Sequence, residues 1–579
     1  MTRLTLISLI VALLLTGRTL GSPELTFKED FIRGLAAAVP DILKTQDPKT
    51  GRFGTGIWIV NDQNVMFTLA TAWATDSSDN PYHHDQKVLD AIVAAGDALI
   101  EDADENGQWE FRKKDGSTWG QTYMPWAYSA WIKSYALVRD AMTPEQRKRW
   151  DEALIRGYTH IAETQLKRVH NIPTNHAMGL YIAGQVFDRP EWCEQSKAFM
   201  ARVGAEQDPA GFWSENCGPV VQYGTVYTDA LGVYYAVSHD DAVLPTIERA
   251  VRFYSTFIYP DGSAVETVDE RNPYHVGVRF PNVGFTLTPE GRGFLKQQMD
   301  LLALEGHKIG ADNMANFIMY CQEGPIALTA AQQADRTLML DGKKALIRRK
   351  GPWFVCLSAY CCPIPTSRFL EDRQNLVSVF HDKCGLIVGG GNTKLQPLWS
   401  NFTVGDTSLL KHKPGDEKPS FLPTGPLFHV PSEGSIKQDD PVGLNLTYGE
   451  ERCHIFVEPI DDDTVLIHLR STLRSGMPVE GHITLIPHLG QALRTGKSPE
   501  RTLGEDAFTM TSEDAGGWIA HGGWKLSLPE GSKVIWPAIP HNPYRKDGSA
   551  TAGEGRIVVS LPFSPEHEEY VLKLEIGEQ

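Results

Sequence analysis

The segment GPWFVCLSAY, residues 351–360, marks the point where the spacing of apolar residues changes in this 579-residue chain. It opens a series of β-rich segments that includes NLVSVFHDKCGLIVGGG (375–391), TVLIHLRSTL (464–473) and RIVVSLPF (556–563). Short runs of β-branched and aromatic residues that alternate with polar ones, bounded by Gly and Pro, are typical of strands. The chain from residue 340 to residue 579 is therefore predicted to be antiparallel β structure.

Before this segment, apolar residues recur with helical spacing. Examples are QKVLDAIVAAGDALIEDA (86–103), EQRKRWDEALIRGYTHIAETQL (145–166) and DDAVLPTIERAVRFYSTFI (240–258). Successive amphipathic helices with short connections pack as antiparallel neighbours. A run of helices followed by a run of strands predicts an α+β multidomain chain, with a helical domain over residues 25–337 and a β domain over residues 340–579.

Composition narrows the class of protein. The chain is 41% hydrophobic and 22% charged, with a formal net charge of -17, which argues against a nucleic-acid partner because no basic excess is present to release counterions. Residues 1–21 combine Arg3, an apolar run and small residues near Gly21, a pattern typical of a signal peptide. We expect a secreted or periplasmic protein with no membrane span after signal removal.

Three polar clusters interrupt the apolar pattern of the helical half. The first is NIPTNHAMGL (171–180), with Asn175 and His176 in the predicted first turn of a helix. The second, GFWSENCGPVVQYGTVYTDAL (211–231), carries Glu215, Tyr223 and Tyr227. The third is YPDGSAVETVDERNPYH (259–275), and it includes Glu266, Asp269, Arg271, Tyr274 and His275.

Each cluster has an ordinary structural explanation when taken alone. Asn175 could cap a helix, Tyr223 and Tyr227 could be core aromatics, and Arg271 could belong to a surface ion pair. Together the residue types fit β-elimination from a uronic acid. The C5 proton beside the carboxylate becomes acidic only when an amide, imidazole or guanidinium neutralises that carboxylate, and a helix N-terminus would help.

Asn175 and His176 are therefore candidates for the carboxylate clamp. A tyrosine could remove the C5 proton and protonate the leaving oxygen, provided that a nearby cation, His176 or Arg271, lowers its pKa.

These residues and the domain order resemble the heparinase II/III-like polysaccharide lyases, in which an incomplete α/α toroid precedes an antiparallel β-sandwich. The matching parts are the Asn-His pair, DPAGFWSENCGPVVQY (208–223) and RQNLVSVFHDKCGLIVGGGNTKLQPLW (373–399). The resemblance implies lyase activity on an anionic, uronic-acid-containing polysaccharide. It also implies that Asn175 and His176 neutralise the carboxylate and that Tyr223 is catalytic.

The sequence departs from that family in two ways. Three residues, rather than one, separate Gly-Pro from Tyr223, and Gly224 stands where relatives often have His. Tyr223 or Tyr227 therefore stays open as the acid/base, with Tyr223 favoured because it follows the Gly-Pro turn. The candidate catalytic set also includes Arg271 and His275. The candidate substrate-binding residues are Trp119, Tyr123, Glu215, Gln222 and Tyr274.

Two other functions fit parts of the pattern. An inverting glycoside hydrolase on an α/α barrel would need paired carboxylates, which Glu215, Asp229, Glu266 and Asp269 could supply. A non-catalytic glycan-binding protein would use the same clusters as ligand contacts.

The metal and cysteine content leaves further points open. No cofactor is expected, although relatives sometimes hold a structural zinc in the β domain, where this chain has His381, His454 and His468. Eight cysteines without metal-binding spacing are consistent with disulfides or with buried thiols. The oligomeric state does not follow from the sequence.

Overall fold

The computed structural model of the chain describes residues 23–54, 62–112, 118–278, 282–329, 335–413 and 415–577. The predicted signal peptide at residues 1–21 lies outside these ranges. Within them, no helix is both long enough and apolar enough to cross a membrane.

The N-terminal half is helical, as the apolar spacing predicts. Its helices are α1 (Lys28–Lys44), α2 (Val65–Ala74), α3 (Gln86–Asp102), α4 (Pro125–Val138), α5 (Pro144–Thr164), α6 (Asn171–Val186), α7 (Pro190–Ala205), α8 (Val221–Ser238), α9 (Leu244–Thr256), α10 (Pro289–Leu304) and α11 (Ala311–Tyr320). Helix α6 packs against α4, α5, α7 and α8. Helix α1 packs against α11, so the helical succession returns to its beginning.

The C-terminal half consists of antiparallel strands. They are β5 (Arg336–Met339), β6 (Ala345–Lys350), β7 (Trp353–Ser358), β8 (Val377–His381), β9 (Gly385–Val388), β10 (Phe402–Gly405), β11 (Leu427–Phe428), β12 (Glu433–Lys437), β13 (Val442–Tyr448), β14 (Glu451–Asp461), β15 (Thr464–Ser471), β16 (Val479–Leu485), β17 (Ala492–Thr495), β18 (Arg501–Thr502), β19 (Phe508–Thr511), β20 (Trp518–His521), β21 (Trp524–Ser527), β22 (Lys533–Ala538), β23 (Arg556–Pro562) and β24 (Glu569–Ile576).

These strands form two sheets. The 11-stranded sheet follows the order β19-β22-β23-β16-β9-β8-β7-β6-β5, with β10 and β11 attached at β16. The 9-stranded sheet follows the order β12-β13-β14-β15-β24-β21-β20-β17-β18. The predicted order of a helical domain and an antiparallel β domain is confirmed.

The 11-stranded sheet is buried on both faces, which joins the two halves into one packed body. Ile347, Phe354 and Cys356 point into the core formed by the helices. Their neighbours Val355 and Leu357 point into the core shared with the 9-stranded sheet. Alternation along a strand sends successive side chains to opposite faces. This packing explains why GPWFVCLSAY is apolar at consecutive positions rather than at every second one.

Short strands also occur in the helical half, where the sequence analysis predicted none. β1 (Glu24–Leu25) pairs with β4 (Gly324–Pro325), and β2 (Trp109–Arg112) pairs with β3 (Thr118–Thr122). The first strand of the 11-stranded sheet, β5, begins at Arg336, inside the range 25–337 expected to be helical. These short pairs leave the order of the two domains unchanged.

Candidate active site

The first predicted cluster lies at the start of helix α6, but in a different register from the one expected. His170 is the N-cap residue, with extended backbone, and the helix begins at Asn171. The N–H of Thr174 already donates to the His170 carbonyl at 3.0 Å. Only the first four N–H groups of a helix are free. Asn175 and His176 therefore belong to the second turn, so both the expected first-turn position and the capping alternative for Asn175 are wrong.

Asn175 and His176 are almost fully buried, at 3% and 1% exposure. The His176 Nε2 atom lies 3.1 Å from the Tyr123 carbonyl oxygen. Among the described residues, neither Asn175 Oδ1 nor His176 Nδ1 has a hydrogen-bond partner. Burial lowers the pKa of His176 to about 4, against the opposing effect of the bond to Tyr123. His176 is consequently neutral at pH 7, and the expectation that it acts as a cation near a tyrosine is wrong.

The second cluster, at Glu215, is contacted by residues at the start of α6, about one turn before Asn175 and His176. Asn171 Nδ2 donates to Glu215 Oε1 at 3.0 Å, and His170 Nε2 is 3.7 Å from the same oxygen. Neither residue was predicted from the sequence. The adjacent His-Asn pair at positions 170 and 171 was a visible signal, because an N-cap and its following residue place their side chains at the mouth of a helix.

Arg271 is the centre of the candidate site, since it connects the second and third clusters. Its Nη1 forms an ion pair with Glu215 Oε2, and its Nη2 donates to the Tyr223 hydroxyl at 2.9 Å. The guanidinium carbon also lies 4.3 Å from the centroid of the Tyr223 ring. Glu215, Tyr223 and Arg271, all predicted from the sequence, are thus in direct contact.

Two buried carboxylates hold these segments in place. Asp269 accepts from the backbone N–H of Val221, at the start of α8, at 2.8 Å and from that of Arg271 at 2.7 Å. Glu270 accepts from the N–H groups of Asn216 and Cys217 at 2.8 and 3.1 Å. Burial raises the pKa of Glu270 to about 7, although its bonds to these amides oppose the shift. Both acids serve as anchors for the loops that present Glu215 and Arg271.

The two candidate tyrosines on α8 differ in environment. Tyr223 is partly exposed, in the first turn of the helix. Tyr227 is 2% exposed, and its ring stacks on Trp213 at 4.6 Å between centroids with an interplanar angle of 4°. Tyr223 therefore faces Arg271, while Tyr227 packs in the core.

The pKa of Tyr223 is raised, which corrects the expectation that a neighbouring cation would lower it. Burial raises the pKa of this phenol more than the Arg271 charge lowers it. The ion pair with Glu215 offsets much of the Arg271 charge. The resting hydroxyl is therefore protonated at neutral pH.

Gly224 has a steric explanation in this chain. A Cβ placed there would lie 1.6 Å from the Tyr254 hydroxyl oxygen, far inside any allowed contact. Tyr254 therefore packs directly against Gly224, the residue after the candidate catalytic tyrosine, and leaves no room for a side chain there.

The β domain and the β2–β3 hairpin complete the site with aromatic rings. Phe369 lies 5.8 Å from the Arg271 guanidinium and 5.8 Å from the Tyr544 ring. Trp119, on β3, is 53% exposed and meets Phe369 edge to face at 5.4 Å. The Tyr544 hydroxyl is 3.5 Å from the Tyr223 hydroxyl. Phe369 and Tyr544 were not predicted, because only the tertiary fold brings them to Arg271.

The remaining predicted residues have other surroundings. Tyr123 is mostly buried, with its ring over His160 at 6.4 Å. Tyr274 is mostly buried against Tyr259 at 6.2 Å, and His275 is exposed. The side chain of Gln222 lies outside what the structure describes.

Most of the carboxylates available to a hydrolase have structural partners. Glu266 accepts from the Tyr259 hydroxyl at 2.8 Å and from the Gly390 N–H at 2.9 Å. Asp269 holds Val221 and Arg271, as described above. Asp229 is a half-buried acid; the Lys133 charge lowers its pKa, but burial raises that pKa more. Glu215 differs from these three in pairing with the Arg271 guanidinium.

The three histidines considered for zinc each have nearby partners. His381 Nε2 lies 3.0 Å from the Asp462 carbonyl oxygen, and His454 Nδ1 lies 2.7 Å from Asn445 Oδ1. His468 lies between Glu458 and Glu569. In the described part of the chain, no group of three or more His, Cys, Asp or Glu side chains is arranged to hold a metal ion.

Comparisons with known proteins find likeness at the level of structure. No protein-family model and no curated protein matches the chain. Heparinase III superposes with a TM-score of 0.54 at 10% identity, over 99% of this chain and 89% of that one. The chondroitin AC lyase of Streptomyces coelicolor A3, solved in complex with chondroitin sulphate, gives 0.52 at 13% identity, over 95% and 79%.

Both alignments cover nearly the whole of this chain. The chain therefore has the heparinase-like polysaccharide lyase fold, a helical toroid followed by antiparallel β-sheets.

Proposed function

We propose that this chain is a polysaccharide lyase that cleaves a uronic-acid-containing polysaccharide by β-elimination. The observation that carries the proposal is the contact of Arg271 with both Glu215 and the Tyr223 hydroxyl. This contact lies where the helical half meets Phe369 and Tyr544 of the β domain. The likeness in fold to two polysaccharide lyases supports the same reaction class.

In the proposed reaction, Arg271 binds the uronate carboxylate and stabilises the enolate-like intermediate that forms when the C5 proton leaves. A preorganised cation in a water-poor cleft stabilises developing negative charge far better than water does. Asn171 and Glu215 fix the guanidinium in position. Tyr223, 2.9 Å from Arg271 Nη2, acts as the general base and acid.

Asn175 and neutral His176 are proposed as further polar contacts for the carboxylate. Asn175 stands four residues after Asn171, on the same face of α6, and residues with this spacing are neighbours. Asn175→Ala should reduce turnover by about 10²–10³, the scale for losing one preorganised donor. A large loss of thermal stability with unchanged specific activity would instead show that Asn175 is a packing residue.

The proposed substrates are anionic polymers related to those in the names of the two structures, chondroitin sulphate and heparin-type chains. The net charge of -17 would repel a polyanion at long range, so binding must depend on local cations such as Arg271. We further propose that the protein is exported, on the basis of the pattern at residues 1–21. The proposed reaction needs no cofactor.

The test is incubation of the purified protein with alginate, glucuronan, chondroitin, hyaluronan and heparan sulfates. A lyase leaves an unsaturated uronate, which absorbs in the near ultraviolet. New reducing ends without that absorbance would identify a hydrolase, and binding without shortening would identify a glycan-binding protein. If no polymer in the panel yields the unsaturated product, the proposal is wrong.

A further inference from the structure

A loop of the β domain presents one exposed tyrosine to the candidate site. Tyr544 lies between β22 and β23 and is 48% exposed. Its backbone N–H donates to Asn542 Oδ1 at 3.0 Å, and Asn542 Nδ2 donates to Glu554 at 2.9 Å. Arg368 donates to the carbonyl oxygens of Arg545 and Lys546. The loop is thus tied to its surroundings on both sides of the tyrosine.

The Tyr544 side chain is directed at the reacting groups proposed above. Its ring lies 5.8 Å from Phe369, and its hydroxyl is 3.5 Å from that of Tyr223. An ordinary O–H···O hydrogen bond is about 2.5–3.0 Å long. The two hydroxyls are therefore adjacent, and the contact between them is longer than an ordinary hydrogen bond.

We propose that Tyr544 is the general acid that protonates the leaving glycosidic oxygen, while Tyr223 removes the C5 proton. This inference rests on the proposed lyase function and divides between two residues the roles assigned there to Tyr223 alone. Tyr223 suits the base role because Arg271 both bonds to its oxygen and lies over its ring, which stabilises a phenolate. Tyr544 is more exposed than Tyr223, so its hydroxyl can reach the oxygen of a leaving sugar.

The reaction starts from the fraction of molecules in which the Tyr223 hydroxyl has lost its proton to solvent, and from there the proton balance closes within the pair of tyrosines. The C5–H bond breaks as the Tyr223 phenolate takes the proton, and the freed electron pair forms the C4–C5 double bond. The C4–O bond breaks, and its oxygen takes the proton of the Tyr544 hydroxyl. Transfer of one proton from Tyr223 to the Tyr544 phenolate then restores the starting state, so no external reactant is consumed.

The decisive comparison is between Tyr544→Phe and Tyr223→Phe. On the polymer that the wild type cleaves, Tyr544→Phe should lower kcat by about 10²–10⁴, the usual range for one acid or base. On a uronide with 4-O-dinitrophenyl as the leaving group, which needs no protonation, Tyr544→Phe should recover to within about tenfold of the wild type. Tyr223→Phe should stay slow on both substrates.

Exchange of the C5 hydrogen with deuterated water separates the two roles in a second way. Tyr544→Phe should still exchange deuterium into the C5 position of unreacted substrate, because its base is intact. Tyr223→Phe should not. Tyr235→Phe is the matched control, since Tyr235 bonds to Asp241 near the far end of α8; this variant should behave as the wild type.

Three results would overturn the assignment of Tyr544. The first is full activity of Tyr544→Phe on the polymer. The second is an equal loss of activity of Tyr544→Phe on both substrates. The third is loss of deuterium exchange in Tyr544→Phe although this variant melts like the wild type. A wild type that yields no unsaturated product on any uronate polymer would refute the lyase function itself. The two failures are therefore distinguishable.

Discussion

Single residues in this site owe their chemistry to burial as much as to charge. Tyr223 lies beside the Arg271 cation, yet its pKa is raised. Burial is the largest cause, and Glu215 partly offsets the Arg271 charge that would lower the pKa. His176 has its pKa lowered to about 4 by burial. Residue types alone suggested a cationic histidine and an acidified tyrosine, and both expectations failed because the depth of a side chain is not visible in one sequence.

The raised pKa of Tyr223 predicts how activity depends on pH. If the phenolate is the base, its fraction grows about tenfold per pH unit below the pKa, so kcat/KM should rise through the neutral range into the alkaline range. Tyr223→Phe should lose about 10²–10⁴ of turnover. Tyr227→Phe is the matched variant, one turn away and stacked on Trp213, and it should keep most of its activity. Reversed behaviour of the two variants would assign the chemistry to Tyr227.

His176 predicts a pH dependence of stability. Its pKa is about 4 in the folded protein and about 6.5 when unfolded, so the unfolded state binds the proton more readily between these values. Stability is fully present above pH 6.5 and falls as the pH drops toward 4, by about 3 kcal/mol at about 1.4 kcal/mol per pKa unit.

The His176→Gln variant keeps a donor for the Tyr123 carbonyl and removes the titration. Denaturant unfolding of both proteins from pH 8 to pH 4 should show a shallower dependence for the variant. Parallel curves for the two proteins would mean that His176 protonates equally in both states.

At the scale of elements, the spacing of apolar residues predicted the helices and strands whose faces are buried. The helices and the strands were recognised because each has a face that must be buried, and burial fixes the spacing of apolar residues. The start of α6 was placed too late, because Asn175 and His176 were assigned to its first turn. Pro173 is the third residue of the helix, where its missing N–H removes no hydrogen bond.

The β2–β3 hairpin escaped prediction for a different reason. Its residues are mostly exposed, so they carry no apolar period. The pairing of Trp119 with Phe369 joins residues that are far apart in sequence, and the contact between Tyr223 and Tyr544 spans 321 positions. The parts of the site that depend on such contacts are the parts that one sequence does not reveal.

Trp119 gives the hairpin a testable role. Its exposed indole, next to Phe369 at the site, offers a face on which a pyranose ring can stack. Trp119→Ala should raise KM for the polymer about tenfold, the equivalent of about 1.4 kcal/mol, with a smaller change in kcat. Trp518→Ala, on the 9-stranded sheet, is the control and should leave KM unchanged. A loss confined to kcat would contradict a binding role.

For the whole molecule, the site depends on how the two halves are joined. The loop that carries Glu215 is connected to the β domain by the disulfide Cys217–Cys362, across 145 positions of sequence. Arg373 of the β domain also donates to the carbonyl oxygens of Cys217 and Pro219 at 2.8 and 3.1 Å. The sequence left open whether its cysteines form bridges, because pairing follows from distances in the fold.

Removal of this bridge should affect both stability and activity. A cross-link restricts the unfolded chain, and disulfides typically contribute about 2–4 kcal/mol. The double variant Cys217→Ser/Cys362→Ser should therefore have a free energy of unfolding that is lower by about 2–4 kcal/mol, measured by denaturant unfolding. Turnover should also fall, because the Glu215 loop loses its covalent link to the β domain and Arg271 is positioned through Glu215.

The matched control is Cys361→Ser, which alters the unpaired neighbour of Cys362. This variant should match the wild type in both measurements. If Cys361→Ser instead reproduces the losses of the double variant, the disulfide in solution joins Cys217 to Cys361, and the pairing Cys217–Cys362 is wrong.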